Sequence, residues 1–338
     1  MQQYLLITGG LGFIGSHICV ELLNLNYNVI VVDNLSNSKI SVLDNIIKIT
    51  GKNNILFFDI DILNFGDLNT IFKGFNIMSV IHLAGFKSIN ESLIDPLNYY
   101  TVNVTGTINL LNVMKMYNCK KLIMSSSAAV YGNQQYPVTE NSYIGQNITS
   151  PYGRTKYAIE LILEDLFQAD KTWSIVILRY FNPIGAHESG LIGEDPNGKP
   201  NNLFPYLLKV AVGIYPELTI FGNDYLTSDG TCIRDFVHVV DLAKGHVKSL
   251  EKLINSNYTV YNLGSGVGVS ILELINIFNK VNNIDIKYSL ASRREGDLPR
   301  IYTNVEKVQN ELGWKTEKTL EDACRDGFKF IKSTINKA

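Results

Sequence analysis

An α/β fold, with a doubly wound parallel sheet followed by a smaller α/β portion, is what this 338-residue sequence predicts. Three observations carry it. Short β-rich runs alternate with helical patterns through the first half, the pattern of parallel strands joined by crossover helices. A glycine-rich loop separates the first run from the first helix. An acidic residue ends the second run, about 20 residues further on.

The elements follow in order. Residues 4–7 read as the first strand and 15–24 as the first helix. Residues 28–32 form the second strand and 55–58 the third; a helix follows, then the apolar run 80–83. A helix over 96–117, a strand over 121–124, a helix over 152–169 and a strand over 174–178 complete the alternation. From about residue 181 the character changes. Asn, Gly and Pro cluster through 182–202, a loop-rich stretch, and later helices mix with isolated strands. The apolar run 260–263 is expected to return to the main sheet. Residues 1–180, with returning segments near 235–263, are therefore expected to form a cofactor-binding domain, and 181–338 mainly a substrate-binding one.

Composition narrows the function. Apolar residues are 46% and charged residues 18%, ordinary for a soluble globular chain. Thirty Lys plus Arg stand against 32 Asp plus Glu, so the basic surplus of a nucleic-acid partner is missing. Residues 4–23 are apolar over a membrane-length window. They contain Gly9, Gly10, Gly12, Gly15, His17 and Glu21, with no basic cluster before them. That is a buried strand, turn and helix, not a signal peptide or a membrane span. Cys19, Cys119, Cys232 and Cys324 are scattered, which predicts neither a metal site nor a disulfide framework. A reduced, cytoplasmic compartment fits them. The sequons at Asn90, Asn103 and Asn147 are what an Asn-rich chain produces by chance.

Glycines at 9, 12 and 15 lie between a strand and a helix. Such a loop lets backbone approach a pyrophosphate, with the helix N–H groups aimed at it. No Lys follows the last glycine, which excludes the NTPase phosphate loop. Asp33 ends the second strand, where a carboxylate accepts from both ribose hydroxyls and repels a 2′-phosphate. NAD is favoured over NADP. The second glycine cluster, Gly264-Ser265-Gly266-Val267-Gly268, precedes Ser270-Ile271-Leu272-Glu273, a capping box, and reads as a helix-entry turn.

Ser125-Ser126-Ser127 follows a strand, and Tyr152-Gly153-Arg154-Thr155-Lys156 comes later. Tyr and Lys four apart on a helix share a face. A free phenol titrates too high for a base at neutral pH; a nearby ammonium and a cationic nicotinamide are expected to lower it. With a serine hydroxyl to orient an alcohol or relay its proton, Tyr, Lys and Ser form an acid/base set for alcohol oxidation.

These residues resemble the extended short-chain dehydrogenase/reductase superfamily. Further segments narrow the resemblance to the UDP-glucose 4-epimerases, also called UDP-galactose 4-epimerases. They are Asp33-Asn34-Leu35-Ser36-Asn37-Ser38, Leu83-Ala84-Gly85-Phe86-Lys87, Ser125 to Gly132, and Arg179-Tyr180-Phe181-Asn182-Pro183-Ile184-Gly185-Ala186. Pro200-Asn201-Asn202-Leu203, Ile220 to Tyr225, Asp229 to Asp235, Arg293-Arg294-Glu295-Gly296-Asp297 and Leu312-Gly313-Trp314 continue it, collinear over essentially the whole chain.

The resemblance implies a Rossmann-type sheet, bound NAD, and reversible 4-epimerisation of UDP-glucose and UDP-galactose through a 4-keto sugar, in galactose metabolism. It implies that Gly9, Gly12, Phe13, Ile14, Gly15, Asp33, Asn34, Asn37 and Ser38 hold adenosine and pyrophosphate. Asp61 and Ile62 would flank adenine. Leu83, Ala84, Gly85, Lys87, Asn103, Tyr152, Lys156 and Phe181 would complete the cofactor site. Ser127, Tyr152 and Lys87 would meet the sugar, with Ser127, Tyr152 and Lys156 catalytic. Asn182, Asn202 and Leu203 would bind the diphosphate region, neutralised by Arg234 and Arg294; Asn182 reads equally as loop-forming and Arg293 as a surface ion pair. Thr219, Ile220 and Phe221 would lie near uracil, Asp297 near the uridine ribose, and Ile301 near the sugar 2-substituent. A homodimer through the helices at 96–117 and 152–169 is implied as well. Two rivals remain: a nucleotide-sugar 4,6-dehydratase, in which an Asp-Glu pair stands where this chain has Ala128 and Ala129, and a non-catalytic NAD-binding sensor, which needs neither Tyr152 nor Lys156.

Overall fold

Leu5, Leu6 and Ile7 in the first strand, β1 (Gln3–Thr8), are all fully buried. Leu5 and Ile7 face one core and Leu6 the other, so both faces of the strand are covered. The computed structural model describes residues 2–294 and 296–335; Glu295 of the Arg-Glu-Gly-Asp segment lies outside the described residues. After β1 come α1 (Phe13–Asn24), β2 (Val29–Asp33), α2 (Ser41–Thr50), β3 (Ile55–Asp59), α3 (Phe65–Gly74) and β4 (Asn76–His82). Next are α4 (Ile89–Ile94), α5 (Pro96–Tyr99), a π-helical stretch (Tyr100–Thr105), α6 (Gly106–Met116), β5 (Lys121–Ser127), α7 (Pro151–Ala169) and β6 (Ser174–Tyr180).

The second half adds β7 (Asn182–Ile184), α8 (Leu203–Ala211), β8 (Leu218–Phe221), β9 (Ile233–His238) and α9 (Val239–Ser249). It continues with β10 (Tyr258–Leu263), β11 (Gly268–Ser270), α10 (Ile271–Asn282), β12 (Tyr288–Ala291), β13 (Arg300–Ile301), α11 (Glu306–Leu312) and α12 (Leu320–Ile335). Seven strands form the main sheet in the order β10-β6-β5-β4-β1-β2-β3, every pairing parallel. β10 thus rejoins the sheet beside β6, and α9 packs Leu242 and Ala243 into the same core as Ile18 and Leu22 of α1. The remaining strands build small sheets: β9 pairs with β7, β11 and β13, and β8 pairs with β12. A third core, around Phe204, Leu208 and Phe278, lies beneath them.

The strand order reverses at β1, whose neighbours are β2 and β4. Ligands of open parallel sheets bind outside the carboxyl ends of the strands at such a switch point. Several boundaries differ from those read in the sequence. β5 continues through the serines to Ser127, because Ser125–Ser127 pair with Leu178–Tyr180 of an equally extended β6. Serine has little strand preference of its own; the neighbouring strand imposes it. The helix over 96–117 is divided by the π-helical stretch, and α2 adds a helix the sequence reading leaves unassigned. The capping box at α10 forms on both sides: Glu273 N–H donates to Ser270 Oγ at 3.0 Å, and Ser270 N–H to Glu273 Oε2 at 2.7 Å. Among the described residues, all four cysteines are unpaired and buried, and no helix is long and apolar enough to cross a membrane.

Candidate active site

The loop between β1 and α1 is shaped by what a side chain would strike. Gly9 has a φ of +68°, and a Cβ on it would lie 2.9 Å from the Ala84 backbone nitrogen. A Cβ on Gly15 would come within 2.3 Å of the Gly9 carbonyl oxygen. The loop therefore closes tightly against the end of β4 and leaves the first N–H groups of α1 free toward the cleft. Thr8 at the end of β1 helps hold the other wall: its hydroxyl oxygen accepts from the Leu83 and Ala84 N–H groups, each at 3.2 Å.

Asp33 is buried at the end of β2. Its carboxylate accepts from Leu11 N–H at 3.0 Å, Leu35 N–H at 3.0 Å and the Ser38 hydroxyl at 2.8 Å. One loop of backbone thus orients it over the glycine turn. Asn34 donates to Asp61 at 2.9 Å, tying the ends of β2 and β3 together. Gly9, Gly12, Phe13, Ile14, Gly15, Asp33, Asn34, Asn37, Ser38, Asp61, Ile62, Leu83, Ala84, Gly85, Lys87, Tyr152 and Asn202 all line one cleft of about 890 Å³. Its volume suits a dinucleotide. The glycine turn, the free helix N–H groups and the acid at the end of β2 fit NAD.

Asn103, expected among the cofactor contacts, is bonded within the protein. It sits on the π-helical stretch, buried, with both polar atoms spent. Its Oδ1 accepts from Phe86 N–H at 2.7 Å, and its Nδ2 donates to the Phe86 carbonyl at 3.1 Å and the Thr155 hydroxyl at 3.0 Å. It shapes the wall formed by residues 83–87 and fastens that wall to α7. The inserted residue of the π stretch is a common device at functional sites.

Ser150 caps α7, accepting from Gly153 N–H at 3.2 Å, and Pro151 occupies the first turn. Ser-Pro is a strong start signal, and it puts Tyr152 in the first turn beside the strand ends. Lys156 follows one turn later, buried. Its Nζ donates to the Ser125 carbonyl at 2.8 Å and approaches the Ser125 hydroxyl at 3.3 Å. Burial pulls the Lys156 ammonium down to about 8, with Glu160 opposing the shift. Burial raises the Tyr152 phenol, and the Ser127 hydroxyl works against that rise. Burial thus opposes the lowering that the sequence reading expects from the Lys156 charge and the nicotinamide. His82, at the end of β4, is held neutral, pulled down to about 3 by burial and by the Lys156 charge. Thr107 gives its proton to the Asn103 carbonyl, so it accepts from His82 Nε2–H, and Thr8 donates to Nδ1.

The residues expected to hold the UDP portion form a second group. Arg294 makes a two-pronged pair with Asp297, at 3.0 and 2.9 Å, and lies over the Phe221 ring. Arg234 Nη2 stands 3.8 Å from the same carboxylate, while its Nη1 donates to the carbonyls of Ile233 and Leu298. Arg293 instead forms an exposed pair with Asp224 at 2.8 Å. Ile301 pairs with Arg234 across β13 and β9, and packs against the cluster of Ala128, Tyr131 and Phe181. Thr219 and Phe221 lie on β8, with Ile220 between them turned into the third core. Asn182 is half-buried on β7, and Asn202 precedes Leu203 at the start of α8.

The sequence reading missed a segment that ties Asn202 and Lys87 together within the cleft. Glu194 accepts from Lys87 at 2.5 Å and from Asn202 at 2.9 Å. Asp195 pairs with Lys39, and Asn197 bonds both Asn37 and the Ser36 carbonyl at 3.0 Å. These residues lie in the stretch read only as loop-rich; its partners are distant in sequence, and composition gives no signal for them.

A family model described as GDP-mannose 4,6 dehydratase matches residues 6–327. The chain is 49% identical to the UDP-glucose 4-epimerase of Bacillus subtilis (strain 168), over 98% of each chain. It is 47% identical to that of Homo sapiens, over 98% of this chain and 97% of the human one. Its structure resembles a solved UDP-glucose 4-epimerase from Bifidobacterium longum in complex with NAD+ and UDP, with a TM-score of 0.96 and 46% identity over 99% of this chain and 100% of that one. Full-length relatedness at this level, together with the glycine turn, the Tyr–Lys helix and the paired arginines, places the chain in the UDP-glucose 4-epimerase family of extended short-chain dehydrogenases/reductases.

Proposed function

We propose that this chain interconverts UDP-glucose and UDP-galactose by inverting carbon 4, with NAD held throughout. The observation that carries the reading is the position of Tyr152, Lys156 and Ser127 at the carboxyl end of the main sheet, in or beside the cleft that fits a dinucleotide. When bound, NAD supplies a hydride acceptor and donor for carbon 4, so the sugar passes through a 4-keto form. Tyr152 as phenolate takes the 4-hydroxyl proton and later returns it. The Ser127 hydroxyl assists by orienting the oxygen, and the Lys156 ammonium favours the ionised phenol through its charge. Arg234 and Arg294 neutralise the diphosphate, with Asn182, Asn202 and Leu203 beside it. Thr219–Phe221 receive uracil and Asp297 the ribose. Anchoring the substrate by UDP places binding energy away from carbon 4 and leaves the keto sugar free to present either face.

The matching family model bears a dehydratase name, and the residues after Ser127 speak against that chemistry. Elimination across carbons 5 and 6 needs an acid and a base, and Ala128 and Ala129 are methyl groups. Purified protein incubated with UDP-galactose separates the readings: UDP-glucose is expected, and a keto-deoxy sugar or no reaction overturns the proposal. Ile301 is intermediate in bulk between the large and small residues that narrow or widen the pocket in this family. Glucose and galactose substrates are therefore preferred over their N-acetylated forms, and equal turnover of the two pairs refutes that preference.

A homodimer through α5, α6 and α7 is part of this reading. Its support is apolar surface on those helices: Leu97 is 78% exposed, Met116 63% and Leu161 42%. Exposed apolar side chains gathered on adjoining helices mark interaction sites. Four buried, unpaired thiols support a reducing, cytoplasmic setting, where the chain would serve galactose metabolism.

A further inference from the structure

Behind the proposed catalytic set lies a buried ion pair that the chemistry above does not use. Glu160 and Arg179 have side chains only 3% and 4% exposed. Arg179 grips the carboxylate with two prongs, Nη2 to Oε2 at 2.7 Å and Nε to Oε1 at 3.1 Å. Its third nitrogen, Nη1, donates to the Tyr131 hydroxyl at 2.9 Å, which in turn donates to Asn262 at 2.7 Å. The Ser126 hydroxyl donates to Glu160 as well. Burying two charges rarely adds stability over an apolar pair of the same size, so the arrangement calls for another reason.

Its position supplies one. Tyr152, Lys156 and Glu160 follow each other at four-residue spacing, so they form a ladder along one face of α7. The carboxylate stands one turn beyond the ammonium and two beyond the phenol. Ser126, which it holds, lies between Ser125, the acceptor of Lys156, and Ser127. The other titratable groups around this ladder are Glu91, bonded to Tyr99; Tyr131, bonded to Arg179; Tyr180, bonded to His246 and facing Ser125 and Tyr152; Tyr258, whose hydroxyl donates to the Glu160 carbonyl; and His82, held by Thr8 and Thr107. Among these neighbours of Lys156, Glu160 carries the negative charge nearest along the helix, and Arg179 sets how much of that charge is felt.

We infer that Glu160 and Arg179 are positioning residues: the pair sets the electrostatic balance of Tyr152 and Lys156 and fixes the end of β5 that carries Ser127. This rests on the reading of Tyr152 as base. The direction of the Lys156 shift agrees with it, since Glu160 opposes the lowering that burial causes.

Charge sign gives a test that loss of packing cannot imitate. Activity requires Tyr152 ionised and Lys156 protonated, so kcat should rise and then fall with pH. Glu160→Gln is isosteric and keeps an acceptor for Ser126 and Arg179, but it removes a negative charge and leaves Arg179 positive. Both limbs should move to lower pH, the alkaline one by about one unit. Arg179→Met removes the positive charge and should move both limbs upward. In the double variant the alkaline limb should fall by less than in Glu160→Gln alone. Limbs that stay at their wild-type positions in Glu160→Gln, or that move the same way in both single variants, overturn the inference. Should the single variants fail to fold, the double variant decides, and an unshifted alkaline limb there refutes it. Ultraviolet difference titration of tyrosinate, with Tyr152→Phe subtracted, reads the phenol without turnover. It keeps a failure of this inference distinct from a failure of the epimerase reading, which wild-type turnover of UDP-galactose tests alone.

Discussion

The two halves of the site meet anions by different means. On the cofactor side the donors are backbone N–H groups at the start of α1, made accessible by Gly9 and Gly15, and Asp33 is the carboxylate held against that turn. On the proposed UDP side the charge comes from side chains, Arg234 and Arg294, both held by Asp297. A backbone site is stiff and fails by steric intrusion. A guanidinium site is built from long side chains and fails by loss of charge. A near-zero net charge is compatible with such an arrangement, which needs no basic surface.

The largest effect should come from the group that serves both halves at once. Tyr152→Phe removes the proton acceptor and leaves the glycine turn and both arginines untouched. Turnover should fall by about a thousandfold, within the range for loss of a general base. Retained NAD and the affinity for UDP should stay near wild type. Near-normal kcat would remove Tyr152 from its role, and loss of NAD would show that the phenol belongs to the cofactor side instead.

Gly15→Ala strikes the backbone side alone. Its new Cβ would lie 2.3 Å from the Gly9 oxygen and 2.7 Å from Gly10 Cα, so backbone must shift, at a cost of about 3 kcal/mol. The variant should melt at lower temperature and retain less than about a tenth of its NAD, a drop that about 1.4 kcal/mol of weakened binding already produces. Its affinity for UDP, measured by calorimetry, should change much less. Full NAD content with a wild-type melting temperature would mean that the turn has more room than this geometry allows.

This contrast also explains how much was legible beforehand. The cofactor side is encoded locally: glycine spacing, Asp33 and the Tyr-x-x-x-Lys pattern each fall within one loop or one helix, where short-range sterics decide the structure. The parallel sheet was visible for the same reason, as successive apolar runs. The ends of β5 and β6 were not, because Ser125–Ser127 take strand geometry only from pairing with Leu178–Tyr180. The proposed UDP side draws on β8, β9, β13, Arg294 and Asp297, and its strands pair only with segments distant in sequence. Only resemblance to a family exposed it. Asn103 shows the same limit inside the cofactor side: only the resemblance pointed to it, and its partners Phe86 and Thr155 are distant in sequence.

Arg294→Ala is the matching blow to the side-chain half. It removes a cation from Asp297 and, in the reading above, from the diphosphate. Charge-assisted bonds contribute about 2 kcal/mol, so the Kd for UDP should rise about 30-fold. NAD content should not move, and kcat at saturating substrate should stay within about threefold, because the arginine binds the anchor and not carbon 4. A variant that loses kcat while keeping its KM would assign Arg294 to the reacting centre.

The smallest effect should appear at the seam. Asn197 Nδ2 donates to the Ser36 carbonyl at 3.0 Å, joining the segment that carries Glu194 and Asp195 to the wall beside Asp33. Asn197→Ala removes that one bond and keeps the backbone bond from Asn197 N–H to Asn37. A single neutral hydrogen bond contributes about 1 kcal/mol, which corresponds to about fivefold in the rate of NAD release if the bond must break for the cofactor to leave. Release is measured by exchange against labelled NAD, and kcat serves as the internal control, since the bond touches no reacting group. Release that quickens about fivefold at constant kcat makes the seam part of the cofactor side. Release at the wild-type rate assigns residues 190–197 to the substrate side, where they answer to Lys87 and Asn202 through Glu194.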